Sequence, residues 1–128
     1  MALILVVEDH AANLKLARLV LEKAGHEVIA ANNATDGIAL ASCRKPALIL
    51  MDIQLPGIDG IEATKRLKAD ASTAAIPVIA LTASAMPSDQ PRMIAAGCNG
   101  YLAKPVRAAV LLATVDRWLH DLDSVHCR

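Results

Sequence analysis

Five apolar runs of strand length, Leu3–Val7, Glu27–Ala31, Ala47–Met51, Pro77–Leu81 and Gly100–Ala103, are separated by segments with helical spacing. Leu14, Ala17, Leu21 and Ala24 recur at intervals of three and four, with Lys15, Arg18 and Glu22 on the other side, and Gly25 follows as a stop. Asn32 or Asn33 can cap a second helix through about Ser42, and a third from about Gly60 to Lys68 turns Ile61, Thr64 and Leu67 inward. Ser88 can cap a fourth that stops at Gly97, and Leu111, Val115, Trp118, Leu119 and Leu122 form the stripe of a last helix. Strands that are apolar on both faces need cover on both, and right-handed crossovers place helices there. The pattern therefore predicts an α/β protein built on a parallel sheet. In open sheets of this kind, ligands bind outside the carboxyl ends of the strands.

At 128 residues there is room for one domain with a real core. Residues 1–122 read as that domain and 123–128 as a short polar tail. Lysine plus arginine and aspartate plus glutamate are 13 each, and no block of like charge occurs, which argues against a nucleic-acid groove or a membrane-surface patch. Although 55% of residues are hydrophobic, every apolar run is far shorter than the roughly 18 residues of a membrane span. The start of the chain also lacks the basic flank of a signal peptide. Cys43, Cys98 and Cys127 are an odd number with no CxxC pair, as in reduced thiols of a cytoplasmic protein, and the four histidines lack metal-ligand spacing.

The strand ends carry the chemistry. Strand one ends in Glu8-Asp9, strand three in Asp52, strand four in Thr82, and strand five in Lys104-Pro105. Taken singly, Asp9 and Thr82 suit caps or turns, and Lys104 suits a solvated charge. Their joint placement at four strand ends is what those readings leave unexplained. Two carboxylates about 4 Å apart repel by roughly 4 kcal/mol at an effective dielectric near 20, so three in one pocket require a proton or a cation. Hard oxygen ligands without thiolate or paired histidine suit Mg2+ (or Mn2+), which keeps waters and accepts phosphate oxygens. Glu8, Asp9 and Asp52 could supply the charge, Lys104 could neutralise a phosphoryl oxygen, and Thr82 could donate to another. This is equipment for phosphoryl transfer, in which a carboxylate can itself be the nucleophile.

With Val7-Glu8-Asp9, LILMDIQLPGIDG from Leu48 to Gly60, IALTA at 79–83 and YLAKP at 101–105, the chain resembles the response regulator receiver domain over essentially its whole length. It is most similar to the stand-alone, DivK-type cell-cycle regulators in EDHAANLKLARLVLEKAGHEV and AIPVIALTASAM. The resemblance implies a flavodoxin-like (βα)5 doubly wound sheet of order 2-1-3-4-5. It implies that Asp52 accepts a phosphoryl group from a phosphohistidine on a sensor histidine kinase or histidine phosphotransfer protein. It further implies that Asp9, Asp52 and the Gln54 backbone carbonyl hold the metal with Glu8 acting through water, and that Lys104 pairs with the phosphoryl group. Thr82 and Tyr101 would form the switch, Lys104-Pro105 would be a cis peptide that helps aim the lysine, and the surface of residues 88–122 would reach a downstream regulator. Such a chain is not an enzyme beyond catalysing its own phosphorylation and dephosphorylation.

Two departures stand out. His10 replaces the small polar or acidic residue common in the family and is expected at the solvent-facing rim. Pro91 is compatible only with the first turn of a helix, so the fourth helix is expected to start late or be distorted. Gly57 and Gly60 fit a tight loop after Pro56, where glycine permits positive φ. The main alternative is a receiver belonging to a longer regulator with a DNA-binding or enzymatic output. A flavodoxin-like FMN protein is more remote, because EDHAAN offers acids where the phosphate needs donors. An aspartate-nucleophile phosphatase would want an acid where Gln54 stands, and a histidine phosphotransfer protein would be a helical bundle.

Overall fold

In the computed structural model, which describes residues 2–83 and 90–126, strands and helices alternate throughout. The order is β1 (Leu3–Val7), α1 (Ala11–Lys23), β2 (Glu27–Ala31), α2 (Ala34–Arg44), β3 (Leu48–Asp52), α3 (Gly60–Ala69), β4 (Val78–Thr82), α4 (Gln90–Ala96), β5 (Gly100–Ala103) and α5 (Ala108–His126). All strand pairs are parallel, in the order β2-β1-β3-β4-β5. The architecture expected from the sequence is the one observed.

Because side chains alternate across a strand, each central strand feeds two cores. Ile4, Val6, Leu48, Leu50, Ile79 and Leu81 join Leu21 of α1 with Leu111 and Val115 of α5. Leu5, Val7, Ile49, Met51 and Val78 join Ala34 and Ala41 of α2 with Ala63 and Leu67 of α3 on the other face. Phenylalanine is absent, so aliphatic side chains and small helix residues fill both layers. Trp118 and Leu119 pack, half-buried, against the first layer.

Local signals set several helix ends. Between the two candidate asparagines, Asn33 is the cap of α2, its side chain accepting from the Asp36 N–H at 2.8 Å. The Asp59 carboxylate accepts from the Glu62 N–H at 2.9 Å and so caps α3. Gly25, at φ +97°, follows α1 as the predicted stop. Pro91 lies in the first turn of α4, the position where a missing N–H costs nothing.

Several expectations need correction. Ala24 faces solvent, because it caps the end of α1 instead of continuing the stripe. Strands β3 and β4 run one residue further than their apolar patterns and include Asp52 and Thr82, since the ladder continues through Asp52 paired with Leu81. The tail assigned to 123–128 is helical through His126: α5 meets no glycine or proline and does not stop at 122. Ser88, Cys127 and the side chain of Leu122 lie outside the described residues. Among the described residues no helix is long and apolar enough to cross a membrane.

Gly57 has the predicted positive φ of +75°, but Gly60 is glycine for another reason. A Cβ at Gly60 would stand 2.2 Å from the Asp52 carbonyl oxygen and 2.8 Å from the Ile53 Cα, both backbone atoms that cannot swing away. The start of α3 is thereby packed directly on the end of β3. Gly60→Ala is expected to destabilise the fold by about 2 kcal/mol or more, as overpacking against backbone does. A urea unfolding midpoint unchanged from wild type would contradict this packing.

Candidate functional site at the carboxyl edge of the sheet

Parallel strands end on the same edge, so β1, β3, β4 and β5 deliver their terminal side chains together. The backbone there is held by bonds that extend each ladder. Glu8 N–H donates to Ala31 O at 3.0 Å, Ile53 N–H to Leu81 O at 3.0 Å, and Lys104 N–H to Thr82 O at 2.7 Å. Each functional side chain therefore leaves a fixed strand end.

Glu8 and Asp52 are both 2% exposed. The Lys104 Nζ lies between them, 2.8 Å from Glu8 Oε2 and 3.0 Å from Asp52 Oδ2. Asp52 Oδ1 accepts from the Gln54 N–H at 3.0 Å, and Glu8 Oε1 accepts from the His10 N–H at 3.2 Å. The short contact from Lys104 to Glu8 Oε2 is an ion pair that misses hydrogen-bond alignment, so this buried oxygen has a charge partner but no aligned donor. Asp9 is exposed, yet oxygens of Glu8, Asp9 and Asp52 all lie within 4.8 Å of one another.

The charges do not cancel. Burial raises the Asp52 pKa above the ordinary carboxylate range and Glu8 pushes it the same way, while Lys104 and the Gln54 N–H oppose them only in part. Burial works to lower the Lys104 pKa, but the negative charges of Glu8 and Asp52 outweigh it, and the ammonium is held above its usual range. Among the described residues, three carboxylates thus face one cation. With hard oxygens only, and one buried oxygen lacking an aligned donor, the cluster can bind a metal ion.

Thr82, 5% exposed, ends β4 beside this group, and Tyr101 on β5 is 42% exposed and in register with Ala80. The Lys104-Pro105 peptide is cis. His10 is exposed at the rim, as expected, and caps α1 without a side-chain bond. Gln54 is exposed and contributes its backbone N–H to Asp52. Sequence reasoning missed the two backbone donors from His10 and Gln54, and it missed that Lys104 already bridges Glu8 and Asp52. No sequence pattern marks a main-chain N–H as a partner, and the bridge requires β5 to lie near β1 and β3 in space.

An open parallel sheet with carboxylates and a lysine gathered at its carboxyl edge places the chain among doubly wound α/β proteins whose function sits at the strand ends. Residues 4–116 match the response regulator receiver domain family, and the chain belongs to that family. It is 42% identical over 118 residues to the polar-differentiation response regulator DivK of Brucella anthropi, covering 92% of this chain and 96% of that protein. A CheY-like receiver domain protein from Methanospirillum hungatei superposes with a TM-score of 0.90 at 28% identity, over 97% of this chain and 98% of the other. The receiver domain of a sensor histidine kinase from Pseudomonas aeruginosa, with a magnesium ion coordinated in its active-site cleft, gives 0.87 at 34% identity, over 93% and 98%. Receiver domains interact with histidine kinases and downstream effectors.

A raised carboxyl pKa in the folded state means that the native protein binds the proton more tightly than the unfolded chain. The associated stability is present below the ordinary carboxylate pKa and is lost as pH rises through the folded value. Asp52→Asn is therefore expected to stabilise the fold at pH 7, by about 1 kcal/mol on the scale of relieving an under-compensated buried charge. The advantage should shrink as pH falls toward 4. Urea unfolding at several pH values measures it, and a variant less stable than wild type at pH 7 would refute the charge imbalance.

Proposed function

We propose that the chain takes a phosphoryl group from a phosphohistidine of a sensor histidine kinase or histidine phosphotransfer protein onto Asp52, and that the added charge alters a surface read by a downstream regulator. The observation that carries this reading is a buried carboxylate at the end of the central strand, held between an ammonium and two further acids. An Asp52 oxygen would attack phosphorus as the donor imidazole leaves. Lys104, already beside Asp52 Oδ2, would shift to a phosphoryl oxygen, and the Thr82 hydroxyl would donate to another. Asp9, Asp52 and the Gln54 carbonyl, with Glu8 through water, would hold Mg2+ or Mn2+, which when bound neutralises phosphoryl charge.

In this reading Thr82 is drawn toward the phosphoryl group, and Tyr101, half-exposed here, turns into the space vacated. The change reaches the 88–122 surface, a two-state element biased by added charge. Identity to DivK across nearly all of that protein's length supports action through protein partners in the cytoplasm. The chain's only catalysis is its own phosphorylation and dephosphorylation.

A small phosphodonor with magnesium should add one hydroxylamine-sensitive phosphoryl group per chain, and Asp52→Asn or chelation of magnesium should cut labelling by about a hundredfold or more. Undiminished labelling of Asp52→Asn would remove Asp52 from the role. Thr82→Ala and Tyr101→Ala should still be labelled but lose about five- to tenfold of the phosphorylation-dependent gain in partner affinity, the usual size of such a coupling. Titration of the partner against phosphorylated variants reads this directly, and equal gains in all of them would sink the switch.

A further inference from the structure

Helix α1 leaves an apolar stripe in solvent. Leu16 is 53% exposed and Leu19 62%, and Ala12 and Lys23 stand exposed on the same stripe. The intervals of four, three and four residues are those of a helix–helix seam. A single exposed leucine needs no explanation, but two that are one turn apart make a continuous patch. Leu16 also edges a cavity of about 80 Å3 whose walls include Ala17, Val20, Ala108 and Leu111, so the apolar surface continues past the leucines toward α5.

The charges beside the stripe decide what fits it. Lys15 and Glu22, both exposed, flank it on one side and stand about 10 Å apart along the helix, too far to pair with each other. Glu22 lies 3.6 Å from Arg18, an exposed contact of the kind that contributes little and leaves the carboxylate open to a second cation. When a second α1 is laid antiparallel on the first, with Leu16 of each copy on Leu19 of the other, Ala12 meets the stem of Lys23. Lys15 of each copy then comes opposite Glu22 of the other. The pattern is complementary to itself, as a two-fold interface requires, and the two helix dipoles run in opposite directions. A parallel pair would put Lys15 beside Val20 and lose both ion pairs. We propose that α1 is a self-association surface on which two copies of this chain pair antiparallel, with Leu16 and Leu19 at the centre and two Lys15–Glu22 ion pairs along one flank.

One helix face makes an interface smaller than the roughly 1,200 Å2 at which standard-size complexes begin, so the pair is weak, with a dissociation constant of about 100 µM. Sedimentation equilibrium of the full chain, up to about 1 mM, reads it at low salt. Lys15→Glu puts acids at both flanking positions and Glu22→Lys puts ammonium groups at both, so each variant alone should associate about tenfold more weakly than wild type. Mixed in equal amounts, the two should pair about as tightly as the wild type, because every acid then meets an ammonium across the interface. That recovery would also show that both variants are folded. Leu19→Glu, a change at an exposed position, should weaken association by about tenfold or more. A wild-type chain that stays monomeric at about 1 mM, or a mixture that associates no better than its components, would overturn the proposal.

Discussion

The ammonium of Lys104 holds the carboxyl edge together, because among the described residues it is the cation placed against two almost fully buried carboxylates. Its position is a product of the whole sheet. Lys104 follows the edge strand β5, Asp52 ends the central β3, and Glu8 follows β1 on the far side of β3, so the two ion pairs span four adjacent strands. Any shift in strand register would pull the lysine from one acid or the other. The ladder bond from Lys104 N–H to Thr82 O fixes the backbone from which the side chain reaches.

A single lysine between two carboxylates leaves negative charge uncompensated, and Asp9 at the rim adds more. A protein selected for stability alone would do better with apolar residues at these positions, since buried ion pairs seldom repay their desolvation. The imbalance makes sense as a site prepared for positive charge and then for a phosphoryl group. Stability forgone at the edge is recovered beneath it, in two aliphatic layers that share strands β1, β3 and β4.

Rigidity and responsiveness are segregated along the same edge. On the β3 side, α3 is packed onto the Asp52 backbone at Gly60 and tied by the Thr64 hydroxyl, which donates to Gly60 O at 2.7 Å. Asp52 is thereby presented on backbone that has no room to move. On the β4–β5 side Tyr101 is half-exposed and Arg92 stands in the open. A charge added at Asp52 would meet resistance on one side and compliance on the other.

The sequence by itself determined the alternation of elements, the parallel sheet and the residue types at its strand ends, because apolar periodicity and helix punctuation are local properties that a linear pattern carries. It placed Glu8, Asp9, Asp52, Thr82 and Lys104 on one edge, since each stands at the end of a strand in one parallel sheet. It erred by a residue at β3 and β4, where the hydrogen-bond ladder outlasts the apolar run, and at α5, where a polar segment continues a helix that nothing breaks. Only the tertiary structure decided that Glu8 is buried while its neighbour Asp9 is exposed, that Lys104 bridges Glu8 and Asp52, and that Gly60 is required by close approach. These depend on distances between strands far apart in the chain, and on main-chain donors that every residue carries alike, so no one-dimensional pattern distinguishes them.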